Sequence, residues 1–300
     1  MTGFEEGENM NNAVFNVIDN TIMQARNNAD SCEEDYRNAD GLLMCGKCHT
    51  PKERFLEFNK TSAFYERYKN HPFPVLCKCR KEKIDTEKEK QKRIETEMLI
   101  NRFRKEGITD DNYLKYTFAH DDNKNPAISR ACKKYADNFS DMYRRGLGLI
   151  FCGQVGTGKT FYAGCIANAV ISQARSVLMT NIPSLITKLG YSQEEKNYVL
   201  NKISYVSLLV IDDLGVERDT PYSLEKIYEI IDTRYRSGKP LIITTNLKYK
   251  DMKTEENISY KRIYDRILQM CHPIAVLGES RRNEKALKSA EFMNDFLGLS

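Results

Sequence analysis

Gly153-Gln154-Val155-Gly156-Thr157-Gly158-Lys159-Thr160 is the stretch on which the reading of this chain turns. The eight residues fit G-x-x-x-x-G-K-[ST]. They follow the apolar run Leu147–Phe151 and open a helical pattern from Phe161 to Gln173. Strand, loop and helix in that order form the context in which this motif cradles phosphate. Glycine reaches backbone conformations closed to other residues, so N–H groups converge on phosphate oxygens. The helix N-terminus adds the positive end of its dipole. Lys159 brings a charge to β- and γ-phosphates, and the Thr160 hydroxyl is a ligand for Mg²⁺.

Outward from this loop, short apolar runs alternate with helical patterns. The candidate strands are Leu147–Phe151, Ser176–Thr180, Ser207–Ile211, Leu241–Thr245 and Ile274–Leu277. Most carry Ile, Leu or Val on successive positions, as strands buried on both faces do. The stretch Tyr222–Arg236 sets Leu224, Ile227, Ile231 and Tyr235 on one helical face. Strands alternating with helices predict an α/β fold, a mostly parallel five-stranded sheet with helices on both faces. Leu208-Leu209-Val210-Ile211 ends in Asp212 and Asp213, and ligands of such sheets gather at the carboxyl ends of strands. Asp212 is the candidate magnesium anchor. Asp213 is the candidate to orient the attacking water. Asn246 closes the strand Leu241–Thr245. It is read either as a turn residue or as a side chain that helps to place that water.

The 300 residues include 41% apolar and 29% charged residues with a net charge of +4. That balance allows a packed core and permits nucleic-acid contact without demanding it. No apolar run of about 18 residues occurs, so no membrane span is expected. Glu5, Glu6 and Glu8 stand before any apolar stretch, the wrong charge for a targeting peptide. A cytoplasmic location follows. An odd count of nine cysteines argues against a disulfide framework. Cys32, Cys132, Cys152, Cys165 and Cys271 are scattered and read as small buried apolar residues.

The remaining four are grouped. Cys45-Gly46-Lys47-Cys48 and Cys77-Lys78-Cys79 form C-x2-C and C-x-C pairs, a spacing that suits four thiolates around zinc. His49 and His71 lie nearby as alternative ligands. Residues 1–80 are therefore assigned to a small N-terminal domain with a four-cysteine zinc site. Residues 81–110, dense in Lys, Arg and Glu, form a charged helical linker closed at Gly107. Residues 111–300 form the ATPase domain.

Residues from roughly 100 to 285 resemble the AAA+ ATPases of the DnaC/DnaI replicative-helicase loaders and the related IstB transposition helpers. Gly148–Thr160, Leu209–Gly215 and Ile242–Leu247 carry the resemblance, with Lys261–Ile267 and Gly278–Arg282 behind them. The resemblance implies a P-loop AAA+ fold with a reduced helical lid, using ATP, Mg²⁺ and Zn²⁺. It implies that Arg266, one helical turn after Arg262, is an arginine finger reaching a neighbouring subunit, hence self-association. It makes Arg282 the sensor-2 arginine that reads the γ-phosphate in cis. Asp213 stands where many AAA+ proteins have Glu, which implies slow, partner- or DNA-stimulated hydrolysis. The cysteine-bearing N-terminal domain implies binding to a replicative hexameric helicase and loading of it onto single-stranded DNA. Lys188, Tyr191, Lys196, Tyr198, Lys202 and Tyr205 are candidates for the strand groove. Two other readings stay open. One is a transposition helper on duplex DNA; the other is a zinc-stabilised adaptor that binds ATP with little hydrolysis.

Overall fold

A computed structural model describes residues 3–27, 34–215 and 220–299, so Cys32 lies outside the described residues. The chain divides into two compact units, residues 1–94 and 95–300. No helix among the described residues is long and apolar enough to cross a membrane.

The first unit opens with α1 (Gly3–Asn27). Then come β1 (Tyr36–Arg37), β2 (Leu43–Met44), β3 (Glu53–Phe55), α2 (Ala63–Tyr68) and β4 (Pro72–Pro74). β1 pairs with β2 and β3 with β4, both antiparallel. Phe15 of α1 packs edge-on against Phe64 at 5.4 Å and lies 6.0 Å from Tyr68. Asp19, one turn on, accepts from Tyr68 Oη at 2.8 Å and pairs with Arg67 at 2.7 Å. Among the described residues of this unit only Ile22, Cys45, Glu53, Tyr68 and Cys77 are fully buried. A core that small contributes little stability by itself.

α3 (Lys78–Gly107) is the charged helix expected from the sequence. The division between the units falls inside it, at Ile94/Glu95. Its last turns belong to the second unit, where Ile100 and Phe103 pack against the core.

The second unit continues with α4 (Asp111–Leu114), α5 (Pro126–Asp137), α6 (Phe139–Arg145), β5 (Gly148–Cys152), α7 (Lys159–Ser172) and β6 (Val177–Asn181). α8 (Ile182–Leu189), α9 (Gln193–Tyr205), β7 (Leu208–Leu214), α10 (Pro221–Ser237) and β8 (Leu241–Thr245) follow. α11 (Tyr249–Lys253), α12 (Ile258–Met270), β9 (Cys271–Ala275) and α13 (Arg281–Leu297) complete it. The five strands lie in the order β6-β7-β8-β5-β9, and every pairing is parallel. Pleat alternation splits their side chains between two cores. Ile150, Leu209, Ile211, Leu241 and Ile243 face one side with α8, α9, α10 and α12. Leu149, Phe151, Leu208, Val210 and Ile242 face the other with α5 and α7. This is the five-stranded parallel sheet, helices on both faces, that the sequence predicts. The expected strand Ile274–Leu277 begins earlier, at Cys271. α12 runs into it with no intervening loop, and as an edge strand paired only with β5 it tolerates Pro273. Cys132, Cys152, Cys165 and Cys271 are buried, as expected of small apolar residues.

Arg234 of α10 is 0% exposed and donates only to backbone carbonyls. Its guanidinium reaches Ile203 at 2.8 Å, Val206 at 2.9 Å, Ser207 at 3.1 Å and Pro240 at 3.2 Å. Those carbonyls lie at the C-terminus of α9 and in the turns leading into β7 and β8. Helix ends leave carbonyls unpaired, and Arg234 satisfies this set with one side chain. Burial lowers its pKa to about 9, so it remains charged at neutral pH. Arg234→Met would leave several buried acceptors unpaired. We expect a loss of about 3 kcal/mol or more, read as a lower urea midpoint for the 95–300 unit. An unchanged midpoint would show that water replaces the guanidinium at no cost.

Candidate functional site

β5 delivers the chain to the phosphate-loop sequence with all five of its residues buried. The loop then turns through Gly156 at φ +84° and Gly158 at φ +102°, left-handed values that favour glycine. Space adds a second reason. A Cβ at 156 would run into Ser280 and one at 158 into the guanidinium of Arg281. The Arg281 backbone N–H donates to Gly156 O at 2.9 Å. The N-terminus of α13 is therefore seated on the loop.

Lys159 starts α7 and is 5% exposed. Its ammonium donates to Gly153 O at 2.9 Å, Gln154 O at 2.8 Å and Asn246 Oδ1 at 2.8 Å. Three acceptors for three N–H bonds leave it fully satisfied. Burial lowers its pKa, while the Asp213 and Asp212 charges oppose that shift.

Asp212 is 5% exposed on β7. Oδ1 accepts from Thr160 Oγ1 at 2.8 Å and from Thr244 Oγ1 at 2.6 Å; Oδ2 accepts from Tyr113 Oη at 3.1 Å. Thr160 and Asp212 thus bring two hard oxygen donors together, the donor chemistry of a magnesium site.

Neighbouring residues of a strand face opposite sides, yet Asp213 lines the cleft that Thr160, the partner of Asp212, also lines. The register explains how. Ile211 lies opposite Ile243, but Leu214 lies opposite Thr245, so β7 carries one extra residue. Asp213 takes φ +53° in this bulge, a conformation uncommon outside glycine and found at functional sites. Thr244 Oγ1 accepts from the Asp213 N–H at 2.9 Å. One hydroxyl therefore holds both acidic residues. Burial raises the Asp213 pKa and the Asp212 charge adds to it; Lys159 and Arg282 pull it back.

The cleft is about 970 Å³, at the upper end of the roughly 300–1,000 Å³ of small-molecule sites. Lys159, Thr160, Asp213, Asn246 and Arg282 line it, as do Lys115, Tyr116 and His120, which follow α4. The Asn246 side chain meets Lys159 rather than folding back on its own turn. Arg281 also lines the cleft, pairs with Asp122 at 3.1 Å and donates to Tyr162 Oη at 3.3 Å. Arg266 is not among the lining residues. It pairs with Asp232 at 2.8 Å and lies over the Tyr228 ring at 4.6 Å.

Three residues of this neighbourhood escaped the sequence reading: Tyr113, Thr244 and Arg281. Thr244 lies inside the recognised stretch Ile242–Leu247, and Arg281 stands next to Arg282. Tyr113 carries no sequence signal.

In the first unit the sulfurs of Cys45, Cys48, Cys77 and Cys79 all lie within 4.8 Å of one another. Cys45 and Cys79 are 3.6 Å apart, Cys77 and Cys79 3.5 Å. Four thiolates at about 2.3 Å around a tetrahedral ion would be separated by about 3.8 Å. The donor set fits a metal ion without large movement. The alternative ligands point elsewhere. His49 Nδ1 faces Tyr36 Oη at 3.4 Å, and His71 packs on Tyr68 and Phe73.

Of the candidate groove residues, Tyr191, Tyr198 and Tyr205 are 72%, 61% and 82% exposed, and Lys239 Nζ lies over the Tyr205 ring at 5.1 Å. Two of the lysines are engaged: Lys196 pairs with Glu229 at 2.7 Å, and Lys202 donates to Glu106 O at 2.8 Å.

The family model of IstB-like ATP binding proteins matches residues 83–289, more than half of the chain. The replicative helicase loader DnaC of Buchnera aphidicola subsp. Schizaphis graminum is 29% identical over 161 residues, covering 52% of this chain and 62% of that protein. The replicative helicase loader DnaI of Bacillus subtilis is 25% identical over 281 residues, covering 90% of this chain and 83% of that protein. A crystal structure of DnaI matches with 26% identity over 58% of this chain and 95% of that one, at a TM-score of 0.48.

Proposed function

The chain belongs to the family of IstB-like ATP binding proteins, and from that premise we propose that it loads a replicative hexameric helicase onto single-stranded DNA, driven by ATP. The observation that carries this reading is that Lys159, Asn246 and Thr160 line one cleft, with Lys159 hydrogen-bonded to Asn246 and Thr160 hydrogen-bonded to Asp212 behind it. Similarity to a helicase loader over 281 residues, which takes in the cysteine-bearing unit, supports the task.

In this reading the 153–160 backbone and Lys159 hold the phosphates of ATP. Lys159 exchanges its contacts with Gly153 O and Gln154 O for phosphate oxygens. Thr160 and Asp212 hold magnesium, which when bound neutralises charge on the β- and γ-phosphates. Asp213 and Asn246 orient the attacking water. Arg282 stabilises charge at the γ-phosphate from within the chain. Arg266 serves the cleft of a neighbouring copy. The Asp232 pairing and the flanking tyrosine rings would hold its guanidinium ready on α12. Cys45, Cys48, Cys77 and Cys79 hold zinc and shape the unit that grips the helicase. Tyr191, Tyr198 and Tyr205 offer rings to unstacked bases, a mode indifferent to sequence.

The test is capture of the host's hexameric helicase by the full chain with ATP and with ADP, followed by transfer of helicase to a single-stranded DNA circle. Nucleotide-dependent capture and transfer support the reading. A chain that neither captures the helicase nor moves it onto DNA is no loader.

A pH dependence follows from Asp213. The raised pKa means that the carboxylate takes its proton at a pH above the ordinary aspartate value of 3.8. The acid limb of the turnover rate should lie above the pH at which an ordinary aspartate takes its proton, and that limb should vanish in Asp213→Asn. Stability has its own sign. Between the unfolded and folded pKa values the folded state holds a proton that the unfolded state has released, so stability falls as pH rises through that window. A kcat profile whose acid limb is the same in both proteins would exclude Asp213 from water activation.

A further inference from the structure

We propose that Tyr113 is a positioning residue for the metal-binding carboxylate, fixing the rotation of Asp212 from outside every recognised motif; this rests on the nucleotide reading above. The case starts from a soft torsion. The second side-chain torsion of an aspartate has broad, weakly separated wells, so the carboxylate needs hydrogen bonds to fix where its oxygens point. Thr160 and Thr244 both donate to Oδ1, while Oδ2 accepts from Tyr113 Oη at 3.1 Å. A cation taken up beside Thr160 competes for that hydroxyl and for Oδ1. Tyr113, bound to the other oxygen, keeps the carboxylate from turning during the exchange.

Tyr113 is itself held. It is buried, and its ring lies 6.1 Å from that of Tyr116, which packs edge-on against Phe161 of α7 at 5.7 Å. Asn168 of α7 donates to Tyr113 O at 2.8 Å and Tyr116 O at 2.9 Å. α4 is therefore pinned to the helix that begins at Lys159. The Tyr113 hydroxyl stays protonated and able to donate: burial raises its pKa, and the Asp212 charge raises it further. Residues around the ligands of a metal tune affinity by about 10–100-fold.

Tyr113→Phe keeps the ring and removes one donor. The measurement is binding of a fluorescent ATP analogue to the full chain as magnesium is titrated. Binding of Mn²⁺ in the presence of nucleotide, followed by electron paramagnetic resonance, gives a readout independent of turnover. We expect a loss of about tenfold or more in apparent metal affinity, with nucleotide binding in EDTA unchanged. Tyr135→Phe is the control. Tyr135 Oη donates to Leu147 O at 2.7 Å, so that variant loses a tyrosine hydroxyl of the same unit without touching Asp212. Thermal unfolding of both variants reports on the fold. Equal metal affinity in Tyr113→Phe and wild type overturns the proposal, as does an equal loss in both variants. A wild-type chain that binds no nucleotide, with metal or without it, overturns the nucleotide reading instead, and this inference with it.

Discussion

Lys159→Met should abolish productive nucleotide binding while leaving the chain at least as stable as the parent. The two halves of this expectation have one cause. The ammonium of Lys159 is buried with only backbone carbonyls and the Asn246 amide oxygen as acceptors. Burial lowers its pKa, which means that the folded chain bears a cost for keeping the charge there. The acceptors of Lys159 lie on exposed or half-buried residues (Gln154, Asn246 and Gly153), unlike the buried acceptors of Arg234, so water can take the place of the ammonium and no buried group is left unpaired. Phosphate recognition loses its only flexible cation on the loop. A positioned donor at a site of developing charge is worth about 10²–10³ in rate, and a loss of that size is the least expected here. Binding of a fluorescent ATP analogue and thermal unfolding, run side by side, check both halves. Undiminished binding would sink the nucleotide reading; a large drop in melting temperature would show that the ammonium is a structural strut.

The second large effect concerns the cysteine cluster. Stripping metal with a strong chelator, or substituting Cys77→Ser, should unfold the first unit and spare the second. The five buried side chains among the described residues of that unit form too small a core. Structural zinc in comparably small modules contributes about 10–16 kcal/mol of apparent binding free energy at neutral pH. Limited proteolysis should cut within residues 34–77 after chelation and leave a resistant fragment beginning within α3. Metal analysis of the purified chain should return one zinc per chain. A unit that resists protease without metal would mean that the aromatic cluster around Tyr68 suffices.

The phosphate loop was legible because its chemistry is local. Glycines, Lys159 and Thr160 must be adjacent in sequence to act on one phosphate chain. The central strands were legible because burial on both faces demands uninterrupted apolar runs, as in Leu208–Ile211. The start of β9 was not, since α12 passes directly into Cys271 with no glycine or turn residue to mark the change. The bulge at Asp213 was hidden for another reason: two adjacent aspartates look the same whether or not the strand gains a residue. Tyr113 was out of reach of any pattern, because its bond to Asp212 spans 99 positions and depends on how α4 docks against α7. The engagement of Lys196 and Lys202 was equally invisible, since their acceptors come from α10 and from the end of α3.

Gly156 and Gly158 answer to two neighbours at once. Each gives phosphate its approach, and each leaves room for Ser280 or Arg281 at the head of the last helix. A bulkier residue at either site would evict that pair as well as obstruct the ligand. Defects from such replacements should therefore reproduce those of damage far downstream, and a weakened allele at 156 invites suppressors near 280.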